Sequence, residues 1–237
     1  MTDRSSPSPN RVSISMFARV AVLFLLLMLF PFPIAGRWDW WGAWASGILM
    51  VVSFIVSRAI AARVHPDLLA ERGKFLAHED VKPWDKILSP IVGLFGMIAI
   101  SATAALNLRF GWPPRASLGM QLAGLAIVAL GYALASWALI VNRFFSGVVR
   151  IQKERGHIVV DSGPYRLVRH PGYLGSVIGD LGIPLLLGSY WALIPALLTI
   201  VAVFVRAALE DKTLQDELPG YAEYARRTRY RLIPGVW

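Results

Sequence analysis

The chain has 237 residues, of which 56% are hydrophobic and 16% charged, and its formal net charge is +9. A soluble domain of this length carries about a quarter charged residues, so the deficit indicates a membrane protein. The positive charge fits basic loops that orient membrane helices better than a nucleic-acid surface, and no nucleic-acid partner is expected. The chain has no cysteine, which excludes disulfides, iron–sulfur clusters, thiolate zinc sites and cysteine nucleophiles.

The first two regions are a tail and a membrane unit. Residues 1–15 contain serines and prolines typical of a flexible tail, and residues 16–141 are predicted to form four membrane helices of about 20 residues or more each. These four helices are predicted at Met16–Gly36, Trp40–Ala62, Ile87–Leu108 and Ser117–Val141. The first apolar run is too long for an ordinary signal peptide, so we expect it to be retained.

The third region, residues 142–237, contains a longer apolar stretch that glycines and prolines interrupt. It is too long for one ordinary span, and it predicts a helical hairpin with its tip at Gly188-Ser189-Tyr190. The predicted arms are Tyr173–Leu187 and Trp191–Ala208. The first arm is short, and the sequence leaves open whether it crosses the bilayer fully.

The distribution of basic residues tests this arrangement. If the N-terminus is cytoplasmic and six segments follow, every Lys and Arg except Arg37, Arg109 and Arg115 lies on the cytoplasmic side. Such a bias is typical of helical membrane proteins. The sequence therefore predicts an all-α, polytopic helix bundle of about six membrane segments with both termini in the cytoplasm. Gly119, Gly124 and Gly131 are interpreted as close-packing positions between its helices.

The first polar motif lies where the chain enters the predicted hairpin. Pro171 suits the first turn of a helix, since its missing N–H costs nothing there. The preceding Arg169 and His170 then lie at the helix N-terminus, where free N–H groups attract anions such as a carboxylate. Gly172 and Gly175 allow another group to approach the backbone closely.

The second polar motif lies at the end of the last apolar arm. Arg206 and Glu210 are four residues apart and share a helix face, and an ionisable pair at this depth is costly unless it is paired or used. Glu210 and Asp211 could supply negative charge to an ammonium or sulfonium group. Tyr221 and Tyr224 follow, and the sequence fits them equally as interfacial residues and as pocket walls.

Together the two motifs resemble the signature of a known enzyme family. Arg169-His170-Pro171-Gly172-Tyr173-Leu174-Gly175, followed by Arg206, Glu210-Asp211 and Leu214, is similar to the isoprenylcysteine carboxyl methyltransferase family and its phospholipid methyltransferase relatives. The resemblance covers about residues 140–237 and is to bacterial-type members. The family usually has Glu-Glu where this sequence has Glu-Asp, which keeps the charge but shortens the reach of Asp211.

The resemblance implies an integral membrane methyltransferase that uses S-adenosylmethionine at the cytoplasmic face, with a C-terminal segment closing the cofactor pocket. It implies catalytic roles for Arg206 and Glu210. The residues it implies for cofactor binding are Tyr165, Arg169, His170, Pro171, Tyr173, Leu174, Gly175, Glu210 and Asp211. The acceptor is expected to be lipophilic or amphipathic and to enter from the bilayer, as an isoprenylcysteine-like carboxylate, a lipid amine or a thiol.

Other interpretations stay open at this point. Arg206 and Glu210 fit a purely structural ion pair, and Arg166 and Arg169 fit interfacial anchors. The alternative functions are an NADPH-dependent membrane sterol or lipid reductase and a non-catalytic membrane module. The histidines show no metal-ligand spacing, so no metal is expected. Compact loops favour a bacterial inner membrane over an internal eukaryotic one.

Overall fold

The computed structural model describes residues 14–73 and 80–237. Within these residues the secondary structure is helical, without a β-strand, and the predicted all-α fold is confirmed. The predicted tail at residues 1–15 falls almost entirely outside the described part of the chain. The division of the chain at residues 15 and 141 stays a prediction.

The first apolar run forms two helices and not the single one predicted over Met16–Gly36. Helix α1 covers Ile14–Leu29, and the short helix α2 covers Pro31–Ala35. Because Pro31 has no N–H to donate to the preceding turn, the first helix ends and a new one begins at this residue. Helices α3 and α4 follow at Trp41–Val64 and Pro66–Gly73.

The third predicted helix is longer than its apolar run. Helix α5 at Asp85–Pro90 continues through a π-helical turn at Ile91–Phe95 into α6 at Gly96–Phe110. The π-helical turn follows Pro90, which cannot donate a backbone hydrogen bond. Helix α7 covers Leu118–Val141, and the Ser117 hydroxyl caps its first turn. This agrees with the fourth predicted helix, Ser117–Val141.

The predicted hairpin is confirmed. Its arms are α8 at Pro171–Leu186 and α9 at Leu193–Glu217, and the turn contains Gly188 in a left-handed conformation, with φ +77°. Helix α9 does not end at Ala208 but continues far enough to carry both acidic residues of the second motif. A short helix, α10, follows at Tyr221–Arg227.

Within the described residues, four helices are long and apolar enough to cross a membrane, which supports the predicted helical membrane bundle. They are Trp41–Val64, Asp85–Phe110, Leu118–Val141 and Leu193–Glu217. Helices α1 and α8 have 16 residues each. A straight helix of that length measures about 24 Å, less than the roughly 30 Å hydrocarbon core. Six spans therefore remain a prediction.

Helices α7 and α8 pack through glycines. A Cβ atom built on Gly131 would lie 2.6 Å from the carbonyl oxygen of Gly175, and one built on Gly124 would lie 2.4 Å from the backbone nitrogen of Leu186. These distances confirm the close-packing interpretation of Gly124 and Gly131. The same interpretation of Gly119 is wrong, because a Cβ there would meet nothing nearer than the Ser117 hydroxyl at 3.9 Å.

Candidate functional site

The first motif has the local structure that its sequence predicts. Pro171 is the first residue of α8 and His170 is its N-cap, whose side chain makes no capping hydrogen bond. The first turn of a helix has N–H groups without an intrahelical acceptor. The start of α8 therefore offers backbone donors and the positive end of a 16-residue helix.

Asp211 lies where the two motifs meet. Its side chain is fully buried, and Arg169 donates to both carboxylate oxygens, from Nε at 2.7 Å and from Nη2 at 3.0 Å. The remaining partners are Arg231 Nε at 2.9 Å, Gln215 Nε2 at 2.8 Å, the Tyr221 hydroxyl at 3.1 Å and His170 Nε2 at 3.3 Å. Asp211 therefore joins the start of α8 to α10 and to the segment after it.

The first motif also pairs with the C-terminal segment through the backbone. The N–H groups of Arg169 and His170 donate to the carbonyl oxygens of Tyr230 and Arg231, both at 2.9 Å. Arg169 Nη1 donates to two further carbonyl oxygens, of Thr228 and Arg229, at 2.9 and 2.8 Å. Arg169 is thus neither an interfacial anchor nor an open donor, because its guanidinium is buried and engaged within the protein.

Glu210 differs from its neighbour in sequence. It is half-buried, and one carboxylate oxygen, Oε2, accepts a hydrogen bond from the Tyr173 hydroxyl. The other oxygen, Oε1, has no hydrogen-bond partner within residues 14–73 and 80–237. Of the two adjacent carboxylates, Glu210 is the one with capacity for a cationic or hydrogen-bonding ligand.

The structural interpretation of the sequence paired Arg206 with Glu210. In the structure, Arg206 pairs with a different carboxylate. Its Nε and Nη2 donate to Asp85 at 2.7 and 3.1 Å, and Nη2 also donates to the carbonyl oxygen of Gly147 at 2.8 Å. Asp85 is fully buried and accepts a further hydrogen bond from the backbone N–H of Val149 at 2.7 Å. Asp85 is therefore an internal partner of Arg206 and not a surface carboxylate.

Three buried tyrosines close the cluster beside the predicted site. The Tyr224 hydroxyl donates to the carbonyl oxygen of Tyr165 at 2.7 Å, and Asn142 donates to the Tyr165 hydroxyl at 3.1 Å. Burial, with the nearby charge of Asp211, raises the pKa of Tyr221 far above its usual range. Burial likewise raises the pKa values of Tyr165 and Tyr224. These hydroxyls therefore stay protonated, and Tyr221 and Tyr224 are packed inside the protein and not at an interface.

The remaining predicted residues lie on two sides of α8. Tyr173 faces Glu210, and its ring lies 5.7 Å from that of His170. Gly175 faces α7, since a Cβ there would lie 2.6 Å from the carbonyl oxygen of Gly131. The group that approaches Gly175 closely is thus another helix, and Leu174 is half-buried beside it.

The sequence does not predict that Asp85 pairs with Arg206 or that Arg231 pairs with Asp211. Asp85 lies 121 residues from Arg206 along the chain, so no local spacing relates the two residues. The one available signal was a carboxylate at the edge of an apolar run, which is costly at that depth without a partner.

A cavity of about 210 Å³ lies at the other end of the bundle. Its lining includes Arg37, Asp39, Asn107, Arg115 and Gly188 of the hairpin tip, and it includes none of the predicted site residues. The chemistry-bearing motifs and this cavity are thus separate features, and the site is identified by its converging polar groups.

Comparison with known proteins identifies the same part of the chain. Residues 123–216 match the model of the isoprenylcysteine carboxyl methyltransferase (ICMT) family. The match runs from α7 through both motifs to the end of α9, and it confirms the family resemblance that the motifs predict.

Individual relatives agree with this match. A probable protein-S-isoprenylcysteine O-methyltransferase of Oryza sativa subsp. indica is 30% identical over 107 residues, which cover 44% of this chain and 56% of the relative. The protein-S-isoprenylcysteine O-methyltransferase of Schizosaccharomyces pombe is 37% identical over 71 residues, 30% of each chain. The cobalt-zinc-cadmium resistance protein CzcN of Cupriavidus metallidurans is 35% identical over 106 residues, covering 44% of this chain and 46% of that protein. The chain thus spans about half or less of these relatives' lengths.

Proposed function

We propose that this chain, which is similar to the isoprenylcysteine carboxyl methyltransferase family over residues 123–216, transfers a methyl group from S-adenosylmethionine to a lipophilic acceptor at the cytoplasmic membrane face. The observation that supports this most directly is the convergence of the two motifs. An uncapped helix start at His170 and a carboxylate with an unused oxygen at Glu210 both lie next to Tyr173.

The residues present suit the amino-acid part of this cofactor. Its carboxylate requires hydrogen-bond donors, and the first turn of α8 has backbone N–H groups without intrahelical acceptors. Its ammonium and sulfonium groups require negative charge, and Glu210 has one oxygen that is not hydrogen-bonded within the described residues. Tyr173 fixes the other oxygen. We therefore propose His170, Tyr173 and Glu210 as the central binding residues.

The remaining predicted residues are proposed to hold the binding residues in position without contacting the cofactor themselves. Asp211 and Arg169 fix the start of α8 against the C-terminal segment, and Tyr165 supports that segment through Tyr224. Pro171 and Leu174 belong to the helical turn that faces the site, and Gly175 sets its distance from α7.

S-adenosylmethionine, when bound, would supply a sulfonium methyl group for transfer to the acceptor and would leave as S-adenosylhomocysteine. The protein's part is to align the acceptor with that methyl group and to exclude water. Alignment of two reactants can contribute about 7–11 kcal/mol to lowering a barrier. A carboxylate acceptor needs no general base, whereas an amine or thiol would have to lose a proton. Arg206 is proposed to orient an anionic acceptor, from its position over the Tyr173 ring at 5.4 Å.

The acceptor is proposed to arrive from the lipid. Helix α9 exposes an apolar stripe toward the bilayer, at Ile194, Leu197, Leu198, Val201 and Val205. This exposed face places α9 in contact with the lipid, where an apolar acceptor would be held. The matched relatives are named for isoprenylcysteine, which makes a prenylcysteine carboxylate the first acceptor to test and lipid amines and thiols the next.

Calorimetric titration of the detergent-purified protein tests the cofactor. S-adenosylhomocysteine is expected to bind and NADPH is not, and Glu210→Ala or His170→Ala should weaken S-adenosylhomocysteine binding without unfolding the protein. Selective NADPH binding would instead support a sterol or lipid reductase. Binding of neither compound by folded protein would indicate a non-catalytic membrane module.

Cysteine labelling tests the proposed orientation, because the natural chain has no cysteine. In intact cells, Trp191→Cys at the hairpin tip should react with a membrane-impermeant maleimide, and Asp161→Cys should react only after permeabilisation. Both side chains are accessible on the protein. Labelling of Asp161→Cys in intact cells would place the candidate site on the outer face, and a protected Trp191→Cys would mean that the hairpin does not cross fully.

A further inference from the structure

Arg206 lies close enough to Glu210 to compete for it. The two residues are four positions apart on α9, the spacing at which an arginine and a glutamate on a helix surface form an ion pair. The Arg206 guanidinium lies over the ring of Tyr173, and the Tyr173 hydroxyl donates to Glu210. A modest change of the Arg206 side chain would therefore bring it to the unused oxygen of Glu210.

Asp85 prevents this contact in the structure. It accepts both hydrogen bonds of a two-point ion pair from Arg206, at 2.7 and 3.1 Å. The Arg206 side chain is 8% exposed and that of Asp85 is fully buried, so the pair is poorly screened by water. The carbonyl oxygen of Gly147 takes a further Arg206 hydrogen bond, and Ser89 donates to the same oxygen at 2.9 Å.

We propose that Asp85 is a positioning residue that holds Arg206 away from Glu210 and so keeps one Glu210 oxygen available for the cationic part of the cofactor. The inference rests on the proposed function, because it takes Glu210 as a cofactor ligand. It adds a residue from α5, outside residues 123–216 that match the family model.

Removal of Asp85 is expected to affect one carboxylate, that of Glu210. Without Asp85, the buried guanidinium lacks a counter-charge, and Glu210 is the nearest carboxylate on its own helix face. Pairing would neutralise Glu210 and occupy its oxygen. A hydrogen bond between charged groups is strong enough to change an affinity on the order of 10- to 100-fold.

A double-mutant cycle on S-adenosylhomocysteine binding tests the inference, with Asp85→Asn, Glu210→Gln and the double variant measured by calorimetry. Each single variant should bind at least about tenfold more weakly than the natural protein. If Asp85 acts through Glu210, the double variant should bind within about twofold of Glu210→Gln alone, since interacting residues are not additive. A general loss of packing would instead add the two effects.

The outcomes distinguish a failure of the proposed cofactor role of Glu210 from a failure of the inference about Asp85. If Glu210→Gln binds like the natural protein, the proposed cofactor role of Glu210 fails and the inference fails with it. If Glu210→Gln weakens binding but Asp85→Asn does not, or if the two effects add fully, the inference alone is overturned. Asp67→Asn is the matched control, because it releases Arg143 and Arg155 from an ion pair distant in sequence from Glu210 and should leave the affinity unchanged.

Loss of Asp85 leaves a buried arginine without its partner, so Asp85→Asn has to be checked for folding by its thermal unfolding transition. If it does not fold, Arg206→Lys takes its place in the cycle. A lysine keeps the charge but lacks the planar guanidinium fork that matches both Asp85 oxygens. It should therefore share its ammonium with Glu210 and weaken binding, but not in the Glu210→Gln background. Arg206→Lys with natural affinity would overturn the inference.

Discussion

Helices α7 and α8 approach each other through glycines, whereas the segments around Asp211 are joined through charges. At the first contact, Gly131 and Gly175 bring two backbones so close that a single methyl group would not fit. At the second, one buried carboxylate accepts from two arginines, a glutamine and a tyrosine. The first contact holds the hairpin in place within the bundle, and the second fixes the loop and C-terminal segment that border the candidate site.

The difference shows how a membrane protein builds rigidity at two depths. In lipid, helices gain little from burying apolar side chains, so close backbone contact is the available source of affinity. Near the aqueous boundary, segments without regular helix must satisfy their backbone groups, and a buried charge network does so while fixing one geometry. The charged contact should therefore tolerate change least.

The largest expected effect is at the charged contact. Asp211→Asn leaves Arg169 and Arg231 without their shared counter-charge, and breaking a buried ion pair typically costs about 3–5 kcal/mol. We expect a correspondingly lower unfolding temperature and rapid proteolysis after the basic run of α10. Asp216→Asn, which breaks the exposed pair with Lys212, should leave the unfolding temperature nearly unchanged. Similar losses in both variants would contradict the role of Asp211.

The glycine contact should respond next. In Gly131→Ala the added methyl group would meet backbone atoms of α8 at 2.6 Å, and overpacking of this kind costs about 1–3 kcal/mol. Thermal unfolding in detergent measures the change. Gly119→Ala, on the same helix but with open space around it, should be neutral or slightly stabilising because alanine favours helices. If the two substitutions had equal effects, α7 and α8 would not be in close contact.

Asp180 places a carboxylate in the otherwise apolar arm α8. It is half-buried and makes no hydrogen bond or ion pair with any residue that the structure describes. Asp180→Leu should therefore stabilise the protein by about 1 kcal/mol, the lower end of the cost of an unpaired buried polar group. Asp180→Asn, which keeps a polar group, should gain less. A loss of stability in Asp180→Leu would reveal a partner.

The smallest effect concerns a histidine outside the membrane helices. Burial, with the charges of Arg155 and Arg150, lowers the pKa of His157 to about 4, and its neutral ring accepts the N–H of Gln152. The unfolded chain binds this proton near pH 6.5, so the stabilisation is complete above that pH and is lost as the pH falls toward 4.

We therefore expect the unfolding temperature to fall between pH 7.5 and pH 5, and to fall less in His157→Gln. The difference should be about 1 kcal/mol or less, because the ring is partly exposed and solvent screens it. A comparison of the two proteins at both pH values cancels the contributions of other titrating groups. Identical pH dependence would mean that His157 has the same pKa in the folded and the unfolded protein.

The helical membrane fold, the hairpin and the position of both motifs follow from the order of the residues alone. Apolar runs as long as a bilayer leave the backbone only one way to satisfy its hydrogen bonds, which is to form helices. Pro171 fixed the start of α8 for an equally local reason, since it lacks the N–H that a helix interior requires. The family resemblance followed from residues that are close together in the chain.

The partners of the charged residues depend on how the helices pack against one another. Arg206 and Glu210 have the spacing of a helical ion pair, yet Arg206 binds Asp85 from another helix because that buried carboxylate would otherwise lack a counter-charge. Glu210 and Asp211 are adjacent in sequence and point to different surroundings, one partly open and one enclosed by donors. Helix geometry separates neighbours by about 100°, so which carboxylate remains available depends on what packs against each face.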